Sequence, residues 1–418
     1  MDLVIKNCRL VDKIGEYYIK VDDGKISDIS KSPLSASETI DVKNNYVLPG
    51  FIDPHIHFRD PGLTQKEDFK TGSLSAANGG FTTVFDMPNT LPKTDTYDAL
   101  KEKIKIAKSK SVVNFEIFAG TNDLYEMERM VELKPIAFKI FMDLESDENL
   151  ENIFHDLSLL KEKTDYNGLV ATHCEKKSIV ENETAKLKQK DENEAIDYSY
   201  ARPAVSEDES VRQAIELAGA NNLSLHVCHL SSKKSLALVK NASKKQQVSW
   251  EFTPHHLLLD NSAYNTYGTF MKTNPPLREK QDSVRISDLD ETSIIGTDHA
   301  PHTLEDKQKG VWNSSPGIPN LETVVPLLLT EVNRGNIDFE LIPRIFSKNA
   351  ADVYGLENKG EIAVGKDADF TVIDLKREGT FNIEEFETKA EYSPFDGENY
   401  IGMPVMTIVN GKTVMNKL

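Results

Sequence analysis

A chain of 418 residues, 39% of them apolar, is long enough for one large domain with a smaller companion and for a sizeable core. Its formal net charge of -18 argues against binding nucleic acid or an anionic membrane through the general field, although a local pocket can still oppose it and take an anionic substrate. Three scattered cysteines (Cys8, Cys174, Cys228), no signal-peptide pattern at the start and no bilayer-length apolar run imply a reducing, cytoplasmic setting without a disulfide framework.

Residues 1–49 read as short strands and turns. Residues 3–11 alternate, Asp22-Asp23-Gly24-Lys25 is a turn signal, and 26–29 resumes the alternation. From Gly50 to about residue 354 the texture changes. Eight β-rich runs, at 51–57, 82–87, 114–119, 137–141, 168–173, 224–229, 248–253 and 293–297, alternate with helix-compatible segments. That alternation predicts an α/β fold, a (β/α)8 TIM-type barrel over 50–354. Residues 70–78 read as a helix stopped by Gly79-Gly80, and 208–220 as one with Val211, Ala214, Ile215, Leu217 and Ala218 on one face. The Lys- and Glu-rich stretch 181–194 reads as a solvated helical face or loop. After residue 354 strands return, at 370–373, 405–409 and 412–415, the last two around Asn410-Gly411. Neither end could form a comfortable core alone, so 1–49 and 355–418 are expected to join in one small composite β-domain.

Catalytic groups of a barrel sit at the C-terminal ends of its strands. His55 and His57 end the first run, and i and i+2 on a strand face the same way, so both imidazoles can aim at one point. Lys139 lies on the fourth run, His173 ends the fifth, His226 and His229 the sixth, His255 and His256 the seventh, and Asp298-His299-Ala300-Pro301-His302 the eighth. Of the ten histidines only His155 lies elsewhere, in a helical stretch, where it reads as surface. The distribution points to a metal site.

The bland alternatives differ by position. His226 and His229 are three apart, so a regular strand turns only one of them inward; His229 is the inward one, and His226 reads as structural. His255 and His256 read as structural or supporting. Cys174 and Cys228 read as core, turned away from the metal by alternation. Asp298, an acid at a strand end with no cationic sequence neighbour, reads as functional. Lys139 could pair with an anion, or could react with carbon dioxide to form an anionic carbamate; spacing does not decide between them.

The motifs match a family. Phe51-Ile52-Asp53-Pro54-His55-Ile56-His57-Phe58-Arg59-Asp60-Pro61-Gly62, Gly79-Gly80-Phe81-Thr82-Thr83-Val84-Phe85-Asp86-Met87-Pro88-Asn89-Thr90, Thr253-Pro254-His255-His256, Lys272-Thr273-Asn274-Pro275-Pro276-Leu277-Arg278 and Gly296-Thr297-Asp298-His299-Ala300-Pro301-His302 resemble the amidohydrolase superfamily and, within its cyclic-amidase branch, the dihydroorotases. The resemblance covers nearly the whole chain. It implies reversible hydrolysis of L-dihydroorotate to N-carbamoyl-L-aspartate in pyrimidine synthesis, with two zinc ions. His55, His57 and Asp298 would hold one zinc and His173 and His229 the other, with carboxylated Lys139 and a hydroxide bridging them. Asp298 would be the general acid and base. Arg59, Asn89 and Asn274, assisted by His302, would bind the substrate, and a homodimer is the family expectation. Some members use an aspartate at the bridge, and Asp143 keeps that alternative open. The family usually has glycine where this chain has Asn320, in a loop expected to close over the substrate. The nearest rivals are an allantoinase or hydantoinase, set apart by Arg59, Asn89 and Asn274, which suit an anion. A non-catalytic homologue in a pyrimidine-pathway assembly is the rival of another class, but the ligand positions are all present.

Overall fold

The computed structural model describes residues 2–11 and 13–418. Alternating apolar residues at the start form β1 (Asp2–Arg9), β2 (Glu16–Asp22), β3 (Lys25–Ser30), β4 (Glu38–Asp41) and β5 (Tyr46–Pro49). Asp23 and Gly24 take φ of +48° and +75°, the two left-handed positions of a hairpin turn whose twist matches its strands.

The barrel strands follow: β6 (Phe51–Ile56), β7 (Phe81–Asp86), β8 (Asn114–Ile117), β9 (Ala119–Gly120), β10 (Phe138–Phe141), β11 (Leu169–His173), β12 (Ser224–Val227), β13 (Val248–Phe252) and β14 (Ile294–Ile295). Their pairings are parallel throughout. β8 and β9 are two halves of one barrel strand interrupted at Phe118, so the eight expected runs all appear. The ring closes where Ile56 bridges His299 and the His57 N–H donates to the His299 carbonyl at 2.9 Å. The last strand is shorter than the sequence implied. Thr297 gives its N–H and hydroxyl to the Asp53 carboxylate (3.0 and 2.5 Å) instead of to a strand neighbour.

Local chemistry explains the connecting helices. Asp68 caps helix Phe69–Asn78 by accepting from the Lys70 and Thr71 N–H groups. The helix stops at Gly79, where a Cβ would lie 2.0 Å from the Leu321 carbonyl oxygen, and Gly80 (φ +91°) turns the chain into β7. Helix Ala204–Ala220 buries Val211, Ala214 and Ala218, as its periodicity implied. Helix Lys177–Gln189 has no buried residue, and His155 is exposed on helix Asp147–Lys163. Among the described residues no helix is long and apolar enough to cross a membrane.

The chain then returns to its start. β15 (Phe370–Thr380), β16 (Asn399–Val409) and β17 (Lys412–Asn416) extend the first sheet in the order β17-β16-β15-β5-β1-β2-β3, with β4 on β1. β15 against β5 is the antiparallel seam that joins the two ends. Leu3, Ile5, Ile19, Val47, Phe370, Val372, Val405 and Ile408 form its core. Thr371 and Thr407 tie this sheet to the barrel through bonds to the Gly80 and Ala77 carbonyls (2.6 and 2.7 Å).

Candidate active site and metal centre

The C-terminal strand ends surround a cavity of about 380 Å³, lined by His55, His57, Arg59, Asn89, Lys139, His173, His229, Asn274, Asp298 and His302 among others. Every site residue expected from the sequence is therefore brought to one place. Three of them, Arg59 (φ +62°), His229 (+39°) and Asp298 (+48°), hold left-handed backbone that costs non-glycine residues about 1–2 kcal/mol. Such strain persists where surrounding structure over-determines it, commonly at functional sites.

One side of the cavity gathers imidazoles and acids. The Asp298 Oδ1 lies 3.1 Å from His57 Nε2 and 3.5 Å from His55 Nε2. His173 Nδ1 and His229 Nε2 face each other at 3.0 Å. What lies behind the rings decides their tautomers. His55 Nδ1 donates to the buried Glu251 carboxylate, His57 Nδ1 to Asn89 Oδ1 (2.7 Å), and His173 Nε2 to Glu175 Oε2 (3.0 Å). When neutral, each ring so held presents a lone pair to the cavity, toward a carboxylate oxygen or another imidazole. Converging lone pairs and a carboxylate fit a bound cation, so the residues present suit a metal.

Charge in the metal-free chain follows the same contacts. Burial pulls His55 down, but Glu251 outweighs it and pushes the ring up to about 10. Burial holds His57 at about 4 and keeps His229 well below the usual histidine range. Burial raises Asp298, yet His55 and His57 more than offset it and hold the carboxyl below the ordinary range. Metal binding here must displace a proton, as at any imidazole and carboxylate site.

Two expectations need correction. Cys228 is not turned away from the centre: its Sγ lies 2.8 Å from Lys139 Nζ. His226 and His229 both point inward: His226 Nε2 meets Glu251 Oε2 at 3.1 Å, while the His229 ring lines the cavity and faces His173. The cause is common to both: β12 ends at Val227, and the positive φ of His229 breaks the alternation that would have faced it outward. His226 keeps its structural reading, held between Glu251 and Ser249. His255 and His256 are held by Thr253, Asn320 and the Pro275 carbonyl, away from the cavity. Cys174 packs on Thr172 and Met142. Asp143 also lines the cavity, its Oδ1 3.7 Å from His173 Nε2 and its Oδ2 accepting from Arg202 at 2.8 Å. Asn320 is buried and bonds the Thr297 carbonyl (2.8 Å); Pro316 and Gly317 line the cavity instead.

The sequence reading missed Glu251 and Glu175. Their signals were present: an acid inside the apolar run Val248–Phe252, and one two residues after His173.

The opposite side is cationic. Arg59 is 7% exposed, its Nε has no hydrogen-bond partner, and no carboxylate among the described residues pairs with it. Its NH2 is 3.1 Å from His302 Nε2. That nitrogen already donates to the Pro316 carbonyl (2.9 Å), because His302 Nδ1 accepts from Lys66 Nζ (3.0 Å). Arg59 therefore finds no acceptor in the protein there. The Oδ1 of Asn89 is taken by His57 and that of Asn274 by the Tyr198 hydroxyl (2.6 Å), leaving both amide NH2 groups for a ligand.

Residues 46–414 match the amidohydrolase family, to which the chain belongs. It is 46% identical to the dihydroorotase of Methanothermobacter thermautotrophicus, across 99% of this chain and 94% of that protein. It is 33% identical to an L-hydantoinase of Paenarthrobacter aurescens, across 100% and 95%. Among solved structures, the L-hydantoinase of Arthrobacter aurescens superposes with a TM-score of 0.93 at 32% identity, across 100% of this chain and 96% of that one.

Proposed function

We propose that the protein is a dihydroorotase, which interconverts L-dihydroorotate and N-carbamoyl-L-aspartate in pyrimidine biosynthesis. Its 46% identity to a dihydroorotase along nearly the whole chain supports the reading. The observation that carries it is Arg59, a buried guanidinium with no carboxylate in ion-pair contact among the described residues, beside two asparagine NH2 groups. Together these donors suit a carboxylate. Dihydroorotate brings that carboxylate, whereas the ring of hydantoin is neutral.

In this reading His55, His57 and Asp298 would hold one zinc and His173 and His229 a second, with Lys139, as its carbamate, completing the ligand set. When bound, the metal lowers the pKa of a water and polarises the ring carbonyl. Arg59, Asn89 and Asn274 grip the carboxylate, with His302, locked between Lys66 and Pro316, beside the guanidinium. That grip sets the scissile amide against the imidazole side. Asp298 takes the proton of the attacking water and passes it to the ring nitrogen as the amide bond breaks. In ring closure it takes the proton from that nitrogen and returns it to the departing water.

The test is turnover by the zinc-loaded protein of L-dihydroorotate, N-carbamoyl-L-aspartate, allantoin and hydantoin. Activity on the first two alone is expected. Activity only on allantoin or hydantoin overturns the substrate assignment, and silence on all four with metal bound favours a non-catalytic homologue.

A further inference from the structure

Arg59 is not the only buried cation on its side of the cavity. Lys272 is 3% exposed and Lys307 is 0% exposed. Lys272 Nζ donates to the Val311 and Ser314 carbonyls (2.7 and 2.6 Å), and its ammonium lies 4.2 Å from the Tyr198 ring centroid. Neither lysine has a carboxylate in ion-pair contact among the described residues. The nearby acids are engaged elsewhere. Asp306 pairs with Lys66 and Lys309 (2.8 Å each), Asp86 with Lys103 (2.6 Å), and Asp298 with His55 and His57.

Lys307 is the most informative. Its Nζ reaches the carbonyl oxygens of Lys272 (3.2 Å), Ser315 (3.0 Å) and Gly317 (2.9 Å). An ammonium has three N–H donors and a neutral amine only two, so three converging carbonyls fit the protonated form. The Tyr392 ring, 5.5 Å away, adds a π face, and the Tyr392 hydroxyl donates to the same Gly317 carbonyl at 2.9 Å. Burial and the neighbouring Lys272 and Arg59 charges all push in the other direction, toward losing the proton. A buried cation without a counter-ion is costly unless something neutralises it. Pro316 and Gly317 line the cavity, so Lys307 stands one residue layer behind its wall.

We propose that Lys307 is a specificity-determining residue: fixed behind the 315–317 turn, its ammonium adds to Arg59 the positive charge that selects an anionic ring over a neutral one. The missing counter-ion is then the substrate's own carboxylate. This rests on the anionic-substrate reading above. Glycine at 317 belongs to the same arrangement. At its φ of +139° a Cβ would lie 2.4 Å from the Ala300 carbonyl oxygen and would drive the turn off both Lys307 and Tyr392.

A purely mechanical role, pinning the turn, would leave charge selectivity untouched, which makes the two separable. Lys307→Met removes the donors and the charge; Lys307→Gln keeps N–H donors and removes only the charge. KM for L-dihydroorotate and Ki for its neutral carboxamide would be measured for each zinc-loaded variant, with metal content and Tm. KM is expected to rise roughly tenfold in both variants, with a much smaller change in Ki and unchanged metal. A wild-type KM in Lys307→Gln, or KM and Ki rising in equal proportion in both variants, overturns the proposal. Failure of the wild-type protein to turn over L-dihydroorotate is a separate result: the anionic-substrate reading falls first and takes this proposal with it.

Discussion

The two sides of the cavity are built by different means. The imidazole side stands on barrel strands or immediately beyond them, and buried partners (Glu251, Asn89, Glu175) fix the far nitrogens of His55, His57 and His173. The cationic side stands on loops: Arg59 and Asn89 after β6 and β7, Asn274, His302, and the turn pinned by Lys307. Strand register gives the fine positioning that chemistry needs, and loops supply the contacts that choose a substrate. Their chemistry differs too: imidazoles and carboxylates on one side, an unpaired guanidinium and two amide NH2 groups on the other. A molecule with an amide carbonyl at one end and a carboxylate at the other fits between them, in a protein whose net charge is -18.

Removing the proposed proton carrier should break the first side most deeply. Asp298→Asn is expected to lower kcat by about a thousandfold or more while substrate affinity changes far less; single-turnover and steady-state rates check this. Arg59→Ala attacks the other side alone. KM for L-dihydroorotate should rise roughly a hundredfold, the value of two charged hydrogen bonds, with normal metal content by atomic absorption. An unchanged KM would sink its assigned role. Glu251→Gln tests whether the buried acids belong to the metal side. It keeps the shape but weakens the hold on His55, so metal affinity should fall about 10–100-fold in chelator competition. The smallest effect is a pH dependence of stability. Burial, with Arg202 and Lys188, lowers Lys272 from 10.5 to about 8. Between those values the unfolded chain binds more protons than the folded one, so stability rises as pH climbs from 8 to 10.5. Lys272→Met should flatten that rise in denaturant unfolding.

Much of this was legible in the order of residues. Eight β-rich runs, most of them ending in polar groups, announced the barrel, because a parallel strand buried on both faces is largely apolar along its length and changes character at its mouth. The same rule located His55, His57, Lys139, His173, His229 and Asp298. The misreadings came where the backbone leaves its period. Cys228 and His226 were assigned by strict alternation, but β12 stops at Val227 and His229 turns left-handed.

By itself the sequence determined the fold class and which residues could meet, since strand period, turn chemistry and the joining of two weak β-ends are local or compositional properties. Tertiary structure alone decided which nitrogen each imidazole presents, because that depends on acids from other strands. It alone showed that Arg59 and Lys307 have no carboxylate in ion-pair contact among the described residues, because the absence of a partner is a property of everything that surrounds a charge, and no stretch of chain contains its own surroundings.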